Sequence, residues 1–344
     1  MRKSLLGGAA LLAALVLTGA ANAQDSVESF YKGKQISLII GNPAGGGYDF
    51  YARLVGRHIG RFIAGNPVVV PRNMPGGSGN VAAGHIANVA AKDGTILGSL
   101  AAGNVVDQLI SQNAYQIRHD ARTFNYIGSA SSEVFVCVVH NDSPFKTLND
   151  LRDREILLGS GGGTTADMPM AMKNILGLKI KLVHGYPGTR DLTLAVDRGE
   201  IAGFCGFGWN SLKSMRPDWL EKKVVRLLVQ ESLTGDADLN KQGVPLSVSL
   251  AQTAEQKQMF EMLYSQGIYT RPFVMAGEVP ADRVEAIRAA FMKALADPQL
   301  LEEAAKQSLV VTAISGAVMQ DAVKKLYETP PAAIDKLKQA IAVQ

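Results

Sequence analysis

Two stretches of this chain share one local pattern: an apolar run, a cluster of glycines, then the opening of a helix. The first is Ile36-Ser-Leu-Ile-Ile-Gly-Asn-Pro-Ala-Gly-Gly-Gly-Tyr-Asp49, continuing as Phe50-Tyr-Ala-Arg-Leu-Val-Gly56. The second is Ile156-Leu-Leu-Gly-Ser-Gly-Gly-Gly-Thr-Thr165, continuing as Ala166-Asp-Met-Pro-Met-Ala-Met-Lys173. A strand that turns through glycines straight into a helix leaves the first helical N–H groups without partners and aims them at one point. The positive end of the helix dipole lies at the same point, so the turn is a ready-made anion site. Two such turns in one chain suggest two half-sites that close on one small anion.

The rest of the chain alternates in the same way. Strands are expected at Ile36–Ile40, Val68–Pro71, Ile96–Ala101, Phe135–Val139, Ile156–Leu158, Ile180–His184, Ile201–Phe204 and Val224–Gln230. Helices are expected at Asp49–Ala64, Val81–Ala91, Ala166–Leu176 and Arg190–Arg198. Such alternation predicts an α/β fold of parallel sheets with helices on both faces. Ligands in these sheets bind beyond the carboxyl ends of the strands, where both glycine turns fall. The C-terminal region reads as helical packing, at Pro280–Leu295, Gly316–Tyr327 and Pro331–Ala342, with Pro280 suited to a first helical turn.

Residues 1–23 read as an export signal. Arg2 and Lys3 precede the apolar run Leu5 to Leu17, and Ala21-Asn22-Ala23 fits a cleavage site that leaves Gln24 as the new N-terminus. The run is short for a membrane span, which needs about 20 residues. This predicts a soluble, exported protein, periplasmic or secreted. Residues 24–344 suffice for two domains with proper cores. The net charge is only +4, and two of the positive charges belong to the signal. No Lys/Arg cluster interleaves with aromatics, so nucleic acid is not an expected partner. Cys137 and Cys205 both lie in apolar, strand-like runs. An exported chain permits a disulfide between them, and two buried free thiols fit equally. The five histidines, His58, His85, His119, His140 and His184, show no paired spacing, so no metal is expected. No P-loop lysine follows either glycine run, Gly159-x-Gly-x-Gly is not a full dinucleotide fingerprint, and no cofactor is expected. A G-x-S-x-G elbow is also missing.

In order and spacing, several motifs resemble the solute receptors of tripartite tricarboxylate transporters, the Bug or TctC-like family. They are Tyr31-x-Gly33-Lys34-x-Ile36, Pro43-Ala-Gly-Gly-Gly-Tyr-Asp49, Val68-Val-Val-Pro-Arg-Asn-Met-Pro-Gly-Gly-Ser-Gly-Asn80 and Ala91-Lys-Asp-Gly-Thr-Ile-Leu97. The stretches Gly159–Thr165 and Gly185-Tyr-Pro-Gly-Thr189 to Arg198-Gly-Glu-Ile201 fit as well. Between Phe204 and about Tyr264 the chain departs from the pattern, with Phe207-Gly-Trp209 replacing a more usual Asp-Gly-centred segment. The resemblance implies a type II-like periplasmic binding protein of two α/β domains with a ligand cleft between them. It implies domain 1 from residues 24–130 with 267–344, and domain 2 from residues 131–266. The two chain crossings are expected near Ser129–Val136 and Gln266–Phe273. It further implies no catalysis, and delivery of an organic carboxylate to a permease with one large and one small membrane subunit. The receptor itself is expected to be a monomer.

The expected site follows from both readings. Pro43, Gly45, Gly46, Gly47 and Tyr48 would capture a carboxylate on backbone N–H groups, although a tight turn alone also needs glycine there. Asp49 is either an N-cap or an acid at the pocket edge. Ser160, Gly161, Gly162, Thr164 and Thr165 form the partner turn, where hydroxyls and N–H groups can clamp an anion without a full counter-charge. Ser78 and Asn104 lie in glycine-containing loops, and Tyr186 matches a pocket loop of the family the chain resembles. Tyr48, Phe207 and Trp209 would either wall the cleft or pack as ordinary core aromatics. Arg53, Arg190 and Arg271 are candidate counter-charges. Mono-, di- and tricarboxylates, aromatic acids and neutral amides all remain open as ligands. Two rivals stand beside transport: a sensor receptor for a signalling partner, and an exported hydrolase that would pair Ser160 with His184.

Overall fold

The structure, a computed structural model, describes residues 27–111 and 117–342. The expected export signal lies outside them. Among the described residues no helix is long and apolar enough to cross a membrane.

Two sheets organise the chain. The first has the order β11-β4-β10-β3-β1-β2, built from β1 (Gln35–Ile40), β2 (Val68–Asn73), β3 (Ile96–Ser99), β4 (Asn125–Ser129), β10 (Pro272–Met275) and β11 (Ile314–Ser315). The second has the order β7-β6-β8-β5-β9, built from β5 (Phe135–His140), β6 (Ile156–Ser160), β7 (Ile180–His184), β8 (Gly203–Gly208) and β9 (Val225–Glu231). The parallel expectation holds for β1 with β2 and β3, and for β6 with β7 and β8. Each sheet also takes antiparallel strands next to the chain crossings. β10 runs against β3 and β4, and β5 runs against β8 and β9. The architecture is therefore two mixed α/β domains.

The strands form where the sequence is apolar and β-branched, because both faces are covered by helices. Ile36, Leu38 and Ile40 are fully buried beneath α1 (Gly47–Ile59), whose Tyr51, Leu54 and Val55 are also fully buried. The other helices that matter to the site are α2 (Asn80–Asn88), α3 (Gly103–Ile110), α4 (Thr164–Leu176), α5 (Thr189–Asp197) and α6 (Trp209–Met215). Cys137 of β5 and Cys205 of β8 are joined by a disulfide between neighbouring strands of the second sheet.

The C-terminal segment meets both domains, its last helix also lying against α3 of the first. The last helix, α7 (Pro331–Ile341), packs on α4 of the second domain, and Asn174 donates a 2.7 Å hydrogen bond to the Ala340 carbonyl. Leu337 and Ile341 give the helix its buried face. The C-terminal segment therefore lies across the domain boundary.

Candidate functional site

The first turn links β1 to α1. Gly46 caps α1 in an extended conformation, and no side chain caps it. The first helical bond runs from the Phe50 N–H to the Gly46 carbonyl. Among the described residues, the N–H groups of Gly47, Tyr48 and Asp49 therefore have no protein acceptor. Asp49 does not face the cleft. It is 3 % exposed, its Oδ2 accepts the Gly45 N–H at 2.9 Å, and Arg53 and Asn73 donate to it. Burial alone would raise its pKa. The hydrogen bonds from Arg53, Gly45 and Asn73 outweigh burial and hold the carboxyl below its ordinary range. Asp49 is thus the clamp that shapes the turn, and Gly45 has its N–H committed to it.

The second turn links β6 to α4 and is braced by its own hydroxyls. Gly161 N–H donates to Thr165 Oγ1, which donates to the Gly162 carbonyl. Gly162 N–H donates to Ser160 Oγ, and Thr164 Oγ1 donates to the Gly206 carbonyl of β8. The hydroxyls expected to clamp an anion are therefore engaged within the protein. Gly163 caps α4 without a side-chain partner, which leaves the N–H groups of Gly163, Thr164 and Thr165 open among the described residues.

A third turn adds to these two. Gly188 caps α5 without side-chain help, leaving the N–H groups of Thr189, Arg190 and Asp191 open among the described residues. Three helix starts, one from the first domain and two from the second, point at one cleft of about 600 Å³. The signal was present in the sequence: Gly188 follows a strand and precedes a helical pattern, as in the two longer glycine runs.

Of the expected site residues, Pro43, Gly46, Gly47, Tyr48, Ser78, Gly161, Gly162, Thr164, Thr165 and Tyr186 line this cleft. Gly45, Asp49, Asn104, Ser160, Phe207 and Trp209 do not. Ser160 is fully buried under its own turn. Phe207 and Trp209 belong to the apolar core of the second domain, where Phe207 packs on Phe204 with ring centroids 4.9 Å apart. β8 continues to Gly208, so Phe207 lies within the strand, while Trp209 opens α6 with its side chain buried.

Asn104 supports the site from behind. Its side chain accepts the Ala101 N–H at 3.0 Å and donates to the Ser78 carbonyl at 3.1 Å, at 1 % exposure. Asn104→Ala strands both backbone groups, so it is expected to cost about 1–3 kcal/mol. A urea-unfolding midpoint equal to that of the wild type would refute this bracing role.

The domains touch across the cleft. A β-carbon on Gly162, whose φ is +85°, would overlap Ser78 Oγ, so the second turn needs glycine both for its backbone and for this approach. A β-carbon on Gly47 would overlap Ser211 Oγ of α6, so α1 needs glycine to meet the second domain. Beyond the Ser78–Gly162 contact lies a second chamber of about 980 Å³, lined in part by Asp107, Asp167, His85, Arg118 and His184. Burial pushes the Asp107 carboxyl up to about 7, against hydrogen bonds from Asn80 and Asn104. Burial, with the charge of Asp107 added, raises Asp167 as well. Among the described residues no group of three or more His, Cys, Asp or Glu could hold a metal.

The candidate counter-charges separate cleanly. Arg53 is held by Asp49 and Asn73. Arg271 is buried against Glu133 and Ser211. Only Arg190 of the three lines the cleft.

No protein-family model and no curated protein matches the sequence. Solved structures do match the fold. The periplasmic binding protein BugD aligns with 90 % of this chain and 98 % of its own, at 17 % identity and a TM-score of 0.71. The fold is that of the Bug and TctC periplasmic binding proteins. A TctC solute-binding protein from Polaromonas covers 89 % of this chain and 99 % of its own, at 18 % identity and a TM-score of 0.60. MatC from Rhodopseudomonas palustris, solved with bound malate, covers 90 % and 99 %, at 15 % identity and a TM-score of 0.68. In the present chain the three helix starts meet in the cleft between the two domains.

Proposed function

We propose that this protein is a periplasmic solute-binding receptor that captures a small organic carboxylate between its domains. It delivers the ligand to a tripartite tricarboxylate-type transporter with one large and one small membrane subunit, and it acts as a monomer after removal of residues 1–23. The observation that carries the reading is the convergence of three uncapped helix starts from both domains on one cleft. A carboxylate accepts backbone N–H groups and is stabilised by the aligned helix dipoles. Such a site holds an anion without a fixed ion pair, which suits a protein that must release its cargo. The malate bound to MatC is a ligand of this chemistry on the same fold. Binding transmits a signal only if it favours the closed arrangement over the open one. Donors on both sides of the cleft supply that difference.

A hydrolytic reading finds little support. Ser160 Oγ is fully buried and engaged with the Gly162 N–H, and His184 is exposed and lines the second chamber. Among the described residues no histidine hydrogen-bonds Ser160.

The test is thermal unfolding of the mature protein, freed of carried-over ligand, against malate, succinate, citrate, benzoate and succinamide. A ligand present at 100 times its Kd is expected to add about 2.7 kcal/mol and raise the midpoint by a few degrees. At least one carboxylate should do so and the diamide should not. Stabilisation by the diamide alone, or by none of the acids, would overturn the carboxylate reading.

A further inference from the structure

Among the described residues that line the cleft, one cation is left unneutralised by the fold. Arg190 is the second residue of α5, and its side chain is exposed and lines the cleft. It reaches from the second domain over the first turn of the other domain. Its Nη1 lies 3.5 Å, and its Cδ 3.8 Å, from the place a β-carbon on Gly45 would take. Among the described residues no carboxylate lies within ion-pair distance of its guanidinium. Asp191 follows it on α5 and also lines the cleft, without pairing to it. This separates Arg190 from Arg53 and Arg271, which meet Asp49 and Glu133.

An open helix start offers the equivalent of about half a charge. A guanidinium offers a full charge and a planar fork of donors that matches a carboxylate. The two kinds of donor differ in what they select. Backbone N–H groups accept any carboxylate, whereas an unpaired arginine rewards a ligand that brings a second negative charge. A cleft of about 600 Å³ accommodates a small diacid with both ends engaged.

Resting on the receptor reading above, we propose that Arg190 is the specificity-determining residue of the cleft. It takes the second carboxylate of a dicarboxylate whose first carboxylate lies on the backbone N–H groups of the turns. Because Arg190 belongs to the second domain and lies over the first, the same contact joins the two domains through the ligand.

The test compares each diacid with its own monoamide, which has the same shape and one charge fewer. Adipate is measured against adipamate, and succinate against succinamate, by calorimetry on the mature wild type, Arg190→Gln and Arg190→Lys. The wild type is expected to prefer the better-bound diacid over its monoamide by roughly 10- to 100-fold, the range of a charge-assisted hydrogen-bonded pair. Arg190→Gln should erase most of that preference, chiefly by weakening the diacid, and Arg190→Lys should keep part of it. Wild-type diacid affinity should also fall more steeply with added salt than that of Arg190→Gln. The proposal is overturned if the preference survives in Arg190→Gln, if diacid and monoamide weaken equally, or if the wild type binds both alike. If the wild type binds none of the four compounds or any acid in the thermal panel, the receptor reading itself fails and this assignment falls with it.

Discussion

Arg271→Met is expected to lower the stability of the folded protein by about 3–5 kcal/mol, the cost of leaving a buried charge without its partner. Arg271 is 2 % exposed and lies where the chain returns from the second sheet to the first. Its Nη2 donates to Glu133 Oε2 at 2.5 Å and to Ser211 Oγ at 2.6 Å, and its Nη1 donates to the Thr270 carbonyl. Glu133 lies on the outward crossing between β4 and β5, and its Oε1 accepts the Ser211 N–H at 2.9 Å. The ion pair therefore ties both crossings to α6 of the second domain. The guanidinium also stands 4.4 Å from the Tyr48 ring and 5.0 Å from the Tyr51 ring, both on α1 of the first domain. Burial opposes the charge on Arg271. Glu133 and the two tyrosines outweigh burial and raise its pKa.

Methionine fills similar volume without charge, so the variant isolates the loss of the ion pair. At about 2–4 °C per kcal/mol for domains of 150–250 residues, the midpoint should drop by roughly 6–20 °C. The double variant Arg271→Met/Glu133→Leu removes both charges and should recover much of the loss, because replacing a whole buried pair costs far less than breaking it. Equal losses in the single and double variants would rule out the uncompensated charge as the cause. The variant also bears on the proposed function, since Tyr48 lines the cleft and stacks on the same guanidinium.

What the sequence reveals of this molecule follows from how local each feature is. β1 and α1 were legible because four apolar residues within Ile36–Ile40 run into a glycine cluster and then into helical spacing, all within one window. The crossing strands β4 and β10 were not. Asn125–Ser129 and Pro272–Met275 are short and carry little β-branched character, and they become strands because the chain crossings lay them side by side in the first sheet. The reading of Phe207 as lying beyond a strand end has a specific origin. Gly203, Gly206 and Gly208 punctuate β8 and make it look finished at Phe204, when it runs on to Gly208 with every residue buried. Gly206 bends the strand at a φ of +68°, where a β-carbon would strike the Thr164 carbonyl. The roles within the glycine turns were hidden for another reason. A hydroxyl or carboxylate near free N–H groups is equally suited to serve a ligand or to brace the backbone. Sequence spacing does not say which, and here Ser160, Thr165 and Asp49 brace.

That bracing makes Asp49 the second residue whose replacement should be felt strongly, with a dependence on pH. Asp49→Asn keeps an oxygen for the Gly45 N–H but removes the charge that holds Arg53, and Asp49→Ala removes both. The expected loss at pH 7 is about 1–3 kcal/mol for alanine and less for asparagine. The pH dependence has a definite sign. The folded-state pKa of Asp49 lies below its unfolded value. Between those two values the unfolded chain holds more protons, so stability rises with pH across that window. The contribution of the carboxylate is complete above the unfolded value and is lost as pH falls through the folded one. The gap between wild type and Asp49→Asn should therefore be widest at pH 6–7 and close progressively below about pH 4, near the ordinary aspartate value. Urea midpoints at pH 7, 5 and 3.5 measure it. A gap of constant size down to pH 3 would mean that the ionised carboxylate contributes nothing, and that shape alone holds the first turn.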